Sequence, residues 1–496
     1  MANFTKLNTF MLLLAGISAA PALAEDNLNA RLEAFKRDTK AYLEHIPEKR
    51  TASGNIRARR LLVSDSATTA LADKRTKKRK KLILGSIKGS DRPEDLVDNA
   101  DTMLTTLEEM EKKGVTEGEV KVQPWSSSYW PLYNGQIAFR YADPNFPADS
   151  KSWNVKNKYL TGEGATIKNI NQLSPAEKYD LLVGDADQSL THSALATGEQ
   201  YFNDTGKVET WMGICDGWSP ASYKVSRPAN AVEVNSADGR STITFYPDDI
   251  KALASLLWAE NSPSVNFIGG RCDSKKPETD ENGRILDQDC FDTNPGTWHQ
   301  VIVNQVGIMK RPFVMDSAFD IEVWNQPLQS YSYTYFNPST LKKAKSLENA
   351  TVAIEDMAAD KFAKYRPKKA RFLVGISMKV DYMDETNPST AKTDSPKKDS
   401  ITEVSYEYDL ELDKDMNIIG GEWYENAHPD FLWNPKPGQT ALTDADEKLG
   451  AAADKRWGGS TPLPREWAEV AIGASQEGSP LAAIVKALVK LSNSSN

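Results

Sequence analysis

The segment WHQVIVNQVGIMKRPFVMD, Trp298 to Asp316, decides how the chain folds around one of its few histidines. It holds one of only four histidines and is apolar along most of its length. Read as two strands that turn at Gly307-Ile308, it sets Val306 against Met309 and, counting outward, His299 against Asp316. Directly opposed residues of an antiparallel pair share a face, with Cβ atoms about 5 Å apart. A carboxylate beside the imidazole would fix its tautomer and leave Nε2 for a second partner. Moving the turn by two residues shifts the pairing towards Asp320, so Asp316 and Asp320 both stand as candidates for the acidic group.

Downstream of this segment the pattern is that of strands. IEVWNQPLQSYSYTYF (321–336) alternates, and RFLVGISMKVDYM and ITEVSYEYDLEL form a candidate pair around the polar segment Asp384 to Ser400, which reads as a mobile loop. Upstream the pattern is helical. Pro93 opens a helix carrying Leu96, Met103, Leu104, Leu107 and Met110 and ending at Gly114. Ser174, Pro175, Glu177 and Gly184 mark both ends of a second helix, and Pro247 starts a third with Ile250, Leu253 and Leu257 inward. Helices first and a mostly antiparallel sheet afterwards make an α+β fold.

The chain ends have their own character. Lys6, the apolar run MLLLAGISAA and the A-x-A site at Ala22-Leu23-Ala24 read as a secretory signal over residues 1–24, cleaved after Ala24. That implies an extracellular, oxidising destination. Residues 25–90 form a basic N-terminal segment. Leu28, Leu32, Phe35 and Tyr42 fall at helical spacing, and RARR and KRTKKRKK follow. Such runs repel themselves, as a solvated linker or a pro-segment with basic cleavage sites would. Residues 91–440 make the main body. In the tail, 441–496, PLAAIVKALVKL forms a short amphipathic helix suited to docking on that body. Net charge of −9 excludes a general nucleic-acid binder, and no apolar run approaches the roughly 18 residues of a transmembrane span.

Cys215, in WMGICDGWSPASY (211–223), is one of three cysteines. A nucleophilic thiol needs a base in reach and a group that orients the base. Ser219 and Pro220 look like the cap and first residue of a helix just after Cys215, whose positive end would favour a thiolate. Gly213 and Gly217 would let backbone approach a substrate carbonyl. Cys215, His299 and Asp316 follow the chain order of papain-like acyl-transfer enzymes. Among the other histidines, His428 competes as the base, and His192 and His45 show no partner.

Val323-Trp324-Asn325-Gln326-Pro327, within IEVWNQPLQSYSYTY, resembles the elicitor peptide of the secreted transglutaminases of plant-pathogenic oomycetes, a family with relatives in marine bacteria. MGICDGWSPAS resembles that family's nucleophile segment, DTNPGTWHQVIVNQVG its histidine segment, and GGEWYENAHPDFLW (420–433) a further block, so the resemblance covers about Asp91 to Trp433. It implies a calcium-dependent protein-glutamine γ-glutamyltransferase with a papain-like core, Cys215 as nucleophile and His299 in support. Its substrates would be proteins bearing glutamine and lysine. The chain departs from the oomycete peptide after Pro327, with Leu328-Gln329-Ser330 in place of a basic, glycine-containing stretch. The resemblance therefore implies the enzyme chemistry and not the plant elicitor activity.

Cys272 and Cys290 bracket an acidic loop, and a disulfide between them would stabilise by about 3 kcal/mol in the chain-entropy model. That pairing leaves Cys215 reduced. Within the loop, Glu278, Asp280, Asn282, Gly283, Ile285 and Asp289 fall at EF-hand-like positions, without flanking helices. Trp211 or Trp218 could line a tunnel that admits lysine in preference to water. Two other functions use the same residues: a papain-like cysteine protease, and a non-enzymatic recognition or adhesion protein that displays Trp324 and the face of Tyr331, Tyr333 and Tyr335.

Overall fold

The computed structural model describes residues 27–56 and 91–494, apart from 163, 165–168, 273, 275–276, 288–289, 291–292, 320–321, 451 and 453–455. The stretch read as a secretory signal and both basic runs lie outside the described residues. Helices and an antiparallel sheet share the fold, as the α+β pattern implies. The sheet runs in the order Arg50–Thr51, Ser400–Leu412, Phe372–Asp384, Asn325–Asn337, Val314–Asp316, Phe431–Pro435, Val265–Gly269. The long middle pair is the expected one, Phe372 to Asp384 against Leu412 to Ser400. Its inward residues Val374, Ile376, Met378 and Val380 build one core with Tyr331, Tyr333, Tyr335, Tyr406 and Tyr408.

The central strand Asn325–Asn337 does not alternate evenly. Tyr382 pairs with Leu328 and Asp381 with Ser330, so Gln329 is an extra residue. An inserted residue swaps the faces of everything on one side of it. Tyr331, Tyr333 and Tyr335 therefore face one core, whereas Asn325 and Pro327 face the other side. There Pro327 opposes Val314, which packs with Trp433 and Tyr223.

The helices Pro175–Val183 and Pro247–Glu260 begin and end where their caps place them, and Ser174 and Glu177 close the expected capping box. The helix read from Pro93 to Gly114 is instead two 3-10 turns and a short helix, Leu107–Lys112, capped by Thr106. The threonine hydroxyl takes the Glu109 N–H and restarts the helix. Asp384 to Ser400 is pinned, contrary to its loop-like composition. Arg227 binds Asp394 and Asp399, Ser389 binds Asp248, and the Thr386 N–H reaches the Ser127 carbonyl. The final helix, Ala482–Ser494, buries Ile484, Val485, Leu488 and Val489 in the largest core, so the tail docks as its pattern indicates.

The N-terminal helices Leu28–Arg37 and Thr39–Leu43 also dock. Leu28, Leu32, Phe35 and Tyr42 pack on Phe336, Phe362 and Tyr424, with Phe35 stacked on Tyr424 at 4.3 Å. Arg31 meets the buried Glu407 at 2.7 Å, and Lys49 Nζ donates to the Ser317 carbonyl at 3.0 Å. Removing a fully packed phenylalanine ring costs about 3–5 kcal/mol. Phe35→Ala should lower unfolding free energy by that amount in urea titrations; a loss under about 1 kcal/mol would show that this helix is not part of the cooperative core.

Candidate functional site

Cys215 is the first residue of the buried helix Cys215–Lys224, so the helix starts at the thiol and not after it. Ser219 does not cap: its hydroxyl donates to the Cys215 carbonyl at 2.8 Å, inside the helix, and Pro220 sits within it. The first-turn N–H groups of such a helix have no intrahelical acceptor and carry partial positive charge. Cys215 is reduced, whereas Cys272 and Cys290 are disulfide-bonded as expected.

The sulfur is held from the central strand. Asn325 Nδ2 lies 3.5 Å from Sγ, and the Val323 carbonyl lies 3.8 Å away, placed to accept the thiol proton. The Asn325 backbone N–H also favours the thiolate. Asn325 Oδ1 in turn accepts from Trp433 Nε1 at 2.8 Å. Burial dominates these donors and pushes the thiol up to about 12, with the charges of Asp216 and Glu385 acting in the same direction.

The expected hairpin around His299 does not form. Asn294 caps a helix over Pro295–Ile302, and a π-helical turn, Val303–Ile308, continues it. All eight residues of Pro295–Ile302 are buried, and an apolar run buried on every side has no periodicity that separates strand from helix. The Asn-Pro start was the legible signal. His299 packs against the tyrosine face of the sheet, its Nδ1 2.8 Å from the Tyr408 hydroxyl and its ring 4.7 Å from Tyr333. Cys215 lies against the opposite face. Burial alone lowers the imidazole to about 3, with no carboxylate contributing. His299 is thus brought to neither Cys215 nor Asp316.

Asp316 is nonetheless beside the site. It pairs in register with Asn325, and its Oδ1 accepts the N–H groups of Ala318 and Trp324, which shapes the turn that delivers Val323 and Asn325 to the sulfur. The alternative Asp320 lies outside the described residues. His428 is stacked on Trp423 at 4.8 Å, packed into the core of the tyrosine face, and burial lowers it to about 4. His192 is exposed on the helix Ser189–Thr205, and His45 is exposed near Tyr42.

Other expected roles change as well. A Cβ on Gly217 would lie 2.1 Å from the Ser255 carbonyl and one on Gly213 2.3 Å from the Tyr129 carbonyl, so both glycines serve close packing within the protein. Trp218 is a core residue that donates to the Trp125 carbonyl, and Trp211 packs with a satellite cluster around Trp153. Trp324, between Val323 and Asn325 in the chain, is edge-on to Tyr129 at 5.2 Å. Tyr331, Tyr333 and Tyr335 are buried and pack the core of the sheet.

Within the loop between the cysteines, the carboxylate of Asp280 is engaged by the protein itself. Asp280 Oδ1 already accepts from the Asn282 and Arg284 N–H groups, and its Oδ2 is taken by the Tyr365 hydroxyl and Lys364. Asp289 lies outside the described residues.

A histidine held neutral in the fold but protonated when unfolded makes stability fall as pH drops below about 6.5. His299→Gln removes that dependence. Its stability deficit relative to wild type should therefore shrink by about 1.4 kcal/mol per pH unit from pH 6.5 to 4.5 in urea titrations. A deficit independent of pH would show that His299 is not buried neutral.

No curated protein matches the chain. Among solved structures it is similar to the crystal structure of the GP42 transglutaminase from Phytophthora sojae, at 22 % identity and a TM-score of 0.47, over 69 % of this chain and 88 % of that one. Among the described residues, no helix is long and apolar enough to cross a membrane. The model of the transglutaminase elicitor family matches residues 95–448, well over half of the sequence, and the chain belongs to that family.

Proposed function

We propose that the chain is a secreted protein-glutamine γ-glutamyltransferase with a papain-like core, acting on protein glutamine and lysine side chains through a thioester on Cys215. One observation carries this reading. The reduced cysteine of a transglutaminase-family chain stands at a helix start with an amide turned to its sulfur.

The first half-reaction forms a bond from Sγ to the carboxamide carbon of a bound glutamine. The carbonyl π electrons move to oxygen, and their return expels the amide nitrogen, which leaves as ammonia with the thiol's proton. A lysine amine then attacks the thioester, the isopeptide bond forms, and the proton released returns to the thiol. Water in the amine's place gives deamidation. Burial favours the protonated thiol, so the attacking thiolate is a minor form that the donors beside it must support. In this scheme His299 has a structural task, and the charges that reach the sulfur are those of Asp216 and Glu385.

The test is incorporation of a labelled primary amine into casein, with calcium and with chelator. Cys215→Ala should abolish labelling. His299→Gln should keep it within roughly tenfold per folded molecule, because the side chain does not reach the reacting atoms. Loss of labelling in His299→Gln equal to that in Cys215→Ala would restore the histidine as the base. Cleavage of casein without labelling would move the chain to the protease reading. Chelator sensitivity would establish a calcium requirement.

A further inference from the structure

We propose that Asn325 is a catalytic residue, the side-chain donor that holds the Cys215 sulfur and then the oxyanion of thioester formation, and that Trp433 is a positioning residue that sets which way its amide faces. This rests on the transferase reading for the second step but not for the first.

The orientation of an amide side chain is fixed by what surrounds it, and here the surroundings permit one answer. An indole N–H can only donate. Trp433 Nε1, 2.8 Å away, therefore requires the carbonyl oxygen of Asn325 on its side. The opposite end of the amide, Nδ2, is left to face Sγ at 3.5 Å. A flipped amide would lose the bond to Trp433 and set its oxygen against the thiolate. Trp433 is itself fixed, buried between Val314, Phe267 and Phe431 and held in register opposite Val314.

The two protonation states of the thiol use different partners. The neutral thiol points its hydrogen to the Val323 carbonyl. The thiolate is favoured by Asn325 through both its amide and its backbone N–H. Nδ2 carries two hydrogens and has one acceptor, so a hydrogen remains for a substrate oxygen once Sγ has bonded to the carboxamide carbon. The atoms balance as in ordinary acyl transfer. The S–C bond forms, the carbonyl pair goes to oxygen and is held by Nδ2–H and a first-turn N–H, and its return breaks the C–N bond.

The experiment reads the thiol and the turnover separately. Iodoacetamide alkylation of native protein is followed against pH, with Cys215→Ser as the blank, beside amine incorporation into casein. Asn325→Asp keeps an acceptor for Trp433 and replaces the donor at the sulfur with a carboxylate oxygen. Alkylation at pH 8 should slow at least about tenfold and its pH profile should move up, since a like charge disfavours the thiolate. Amine-transfer kcat should fall about 100-fold or more, with KM for the amine unchanged. Trp433→Phe, which keeps the ring and removes the N–H, should slow both reactions less, and the double variant should cost no more than Asn325→Asp alone. If Asn325→Asp fails to fold, Trp433→Phe decides by the same two readings. Wild-type rates of alkylation and turnover in the variants would overturn the assignment, as would a wild-type thiol inert to iodoacetamide. If wild type is alkylated but transfers no amine, the transferase reading falls, and the alkylation ratio still decides whether Asn325 holds the sulfur.

Discussion

The site depends on one extra residue in the central strand. If the strand alternated evenly, with no bulge at Gln329, Asn325 would fall on the same face as Tyr331, Tyr333 and Tyr335, against the His299 helix. With it, the strand serves two cores. Its second half closes the tyrosine-lined layer, and its first half turns Asn325 towards the Cys215 helix, where Trp433 and Val314 from the neighbouring strands support it. His299 and Cys215 lie on opposite sides of this strand. Ser330 secures the register just beyond the bulge, its hydroxyl 2.6 Å from Asp381.

Several features were legible because local chemistry dictates them. Ser174, Pro175, Glu177 and Gly184 delimit a helix by satisfying its terminal N–H and carbonyl groups, whatever else surrounds them. The long antiparallel pair, the docked last helix and the disulfide follow from alternation, amphipathic spacing and cysteine count. The free state of Cys215 follows from the same count, once the other two cysteines pair. The hairpin at His299 failed because a segment buried all round contains no directional pattern, and its Val and Ile content favours a strand by propensity alone. The contact of Asn325 with the sulfur was not legible, because it arises from a bulge and from a tryptophan 108 residues away, and neither leaves a local trace.

The face of the Ser400–Leu412 strand that turns away from the tyrosines carries Glu407, Asp409 and Glu411, joined by Glu422 and Glu425. Burying that much negative charge is costly unless cations come with it. They come from three separate stretches of chain: Arg31 to Glu407, Arg284 to Glu422 and Arg366 to Asp409. Arg284 belongs to the disulfide-closed loop, which ties that loop to the acidic face of the sheet. Glu425 is held protonated more readily than an ordinary carboxyl, chiefly by burial and by the charge of Glu407.

The N-terminal helices have a bearing on what holds the molecule together. Residues 27–56 are joined to the rest by their own ring stacking, by Arg31 on Glu407, by two residues of strand pairing with Ser400–Leu412 and by Lys49 on the Ser317 carbonyl. None of these contacts uses the peptide link between residues 56 and 91. A nick in that link would leave a two-chain protein of unchanged content, one that migrates as a single species on a native gel and as two on a denaturing one. The smaller chain would remain as a subunit, still touching the turn that carries Asn325 to the sulfur.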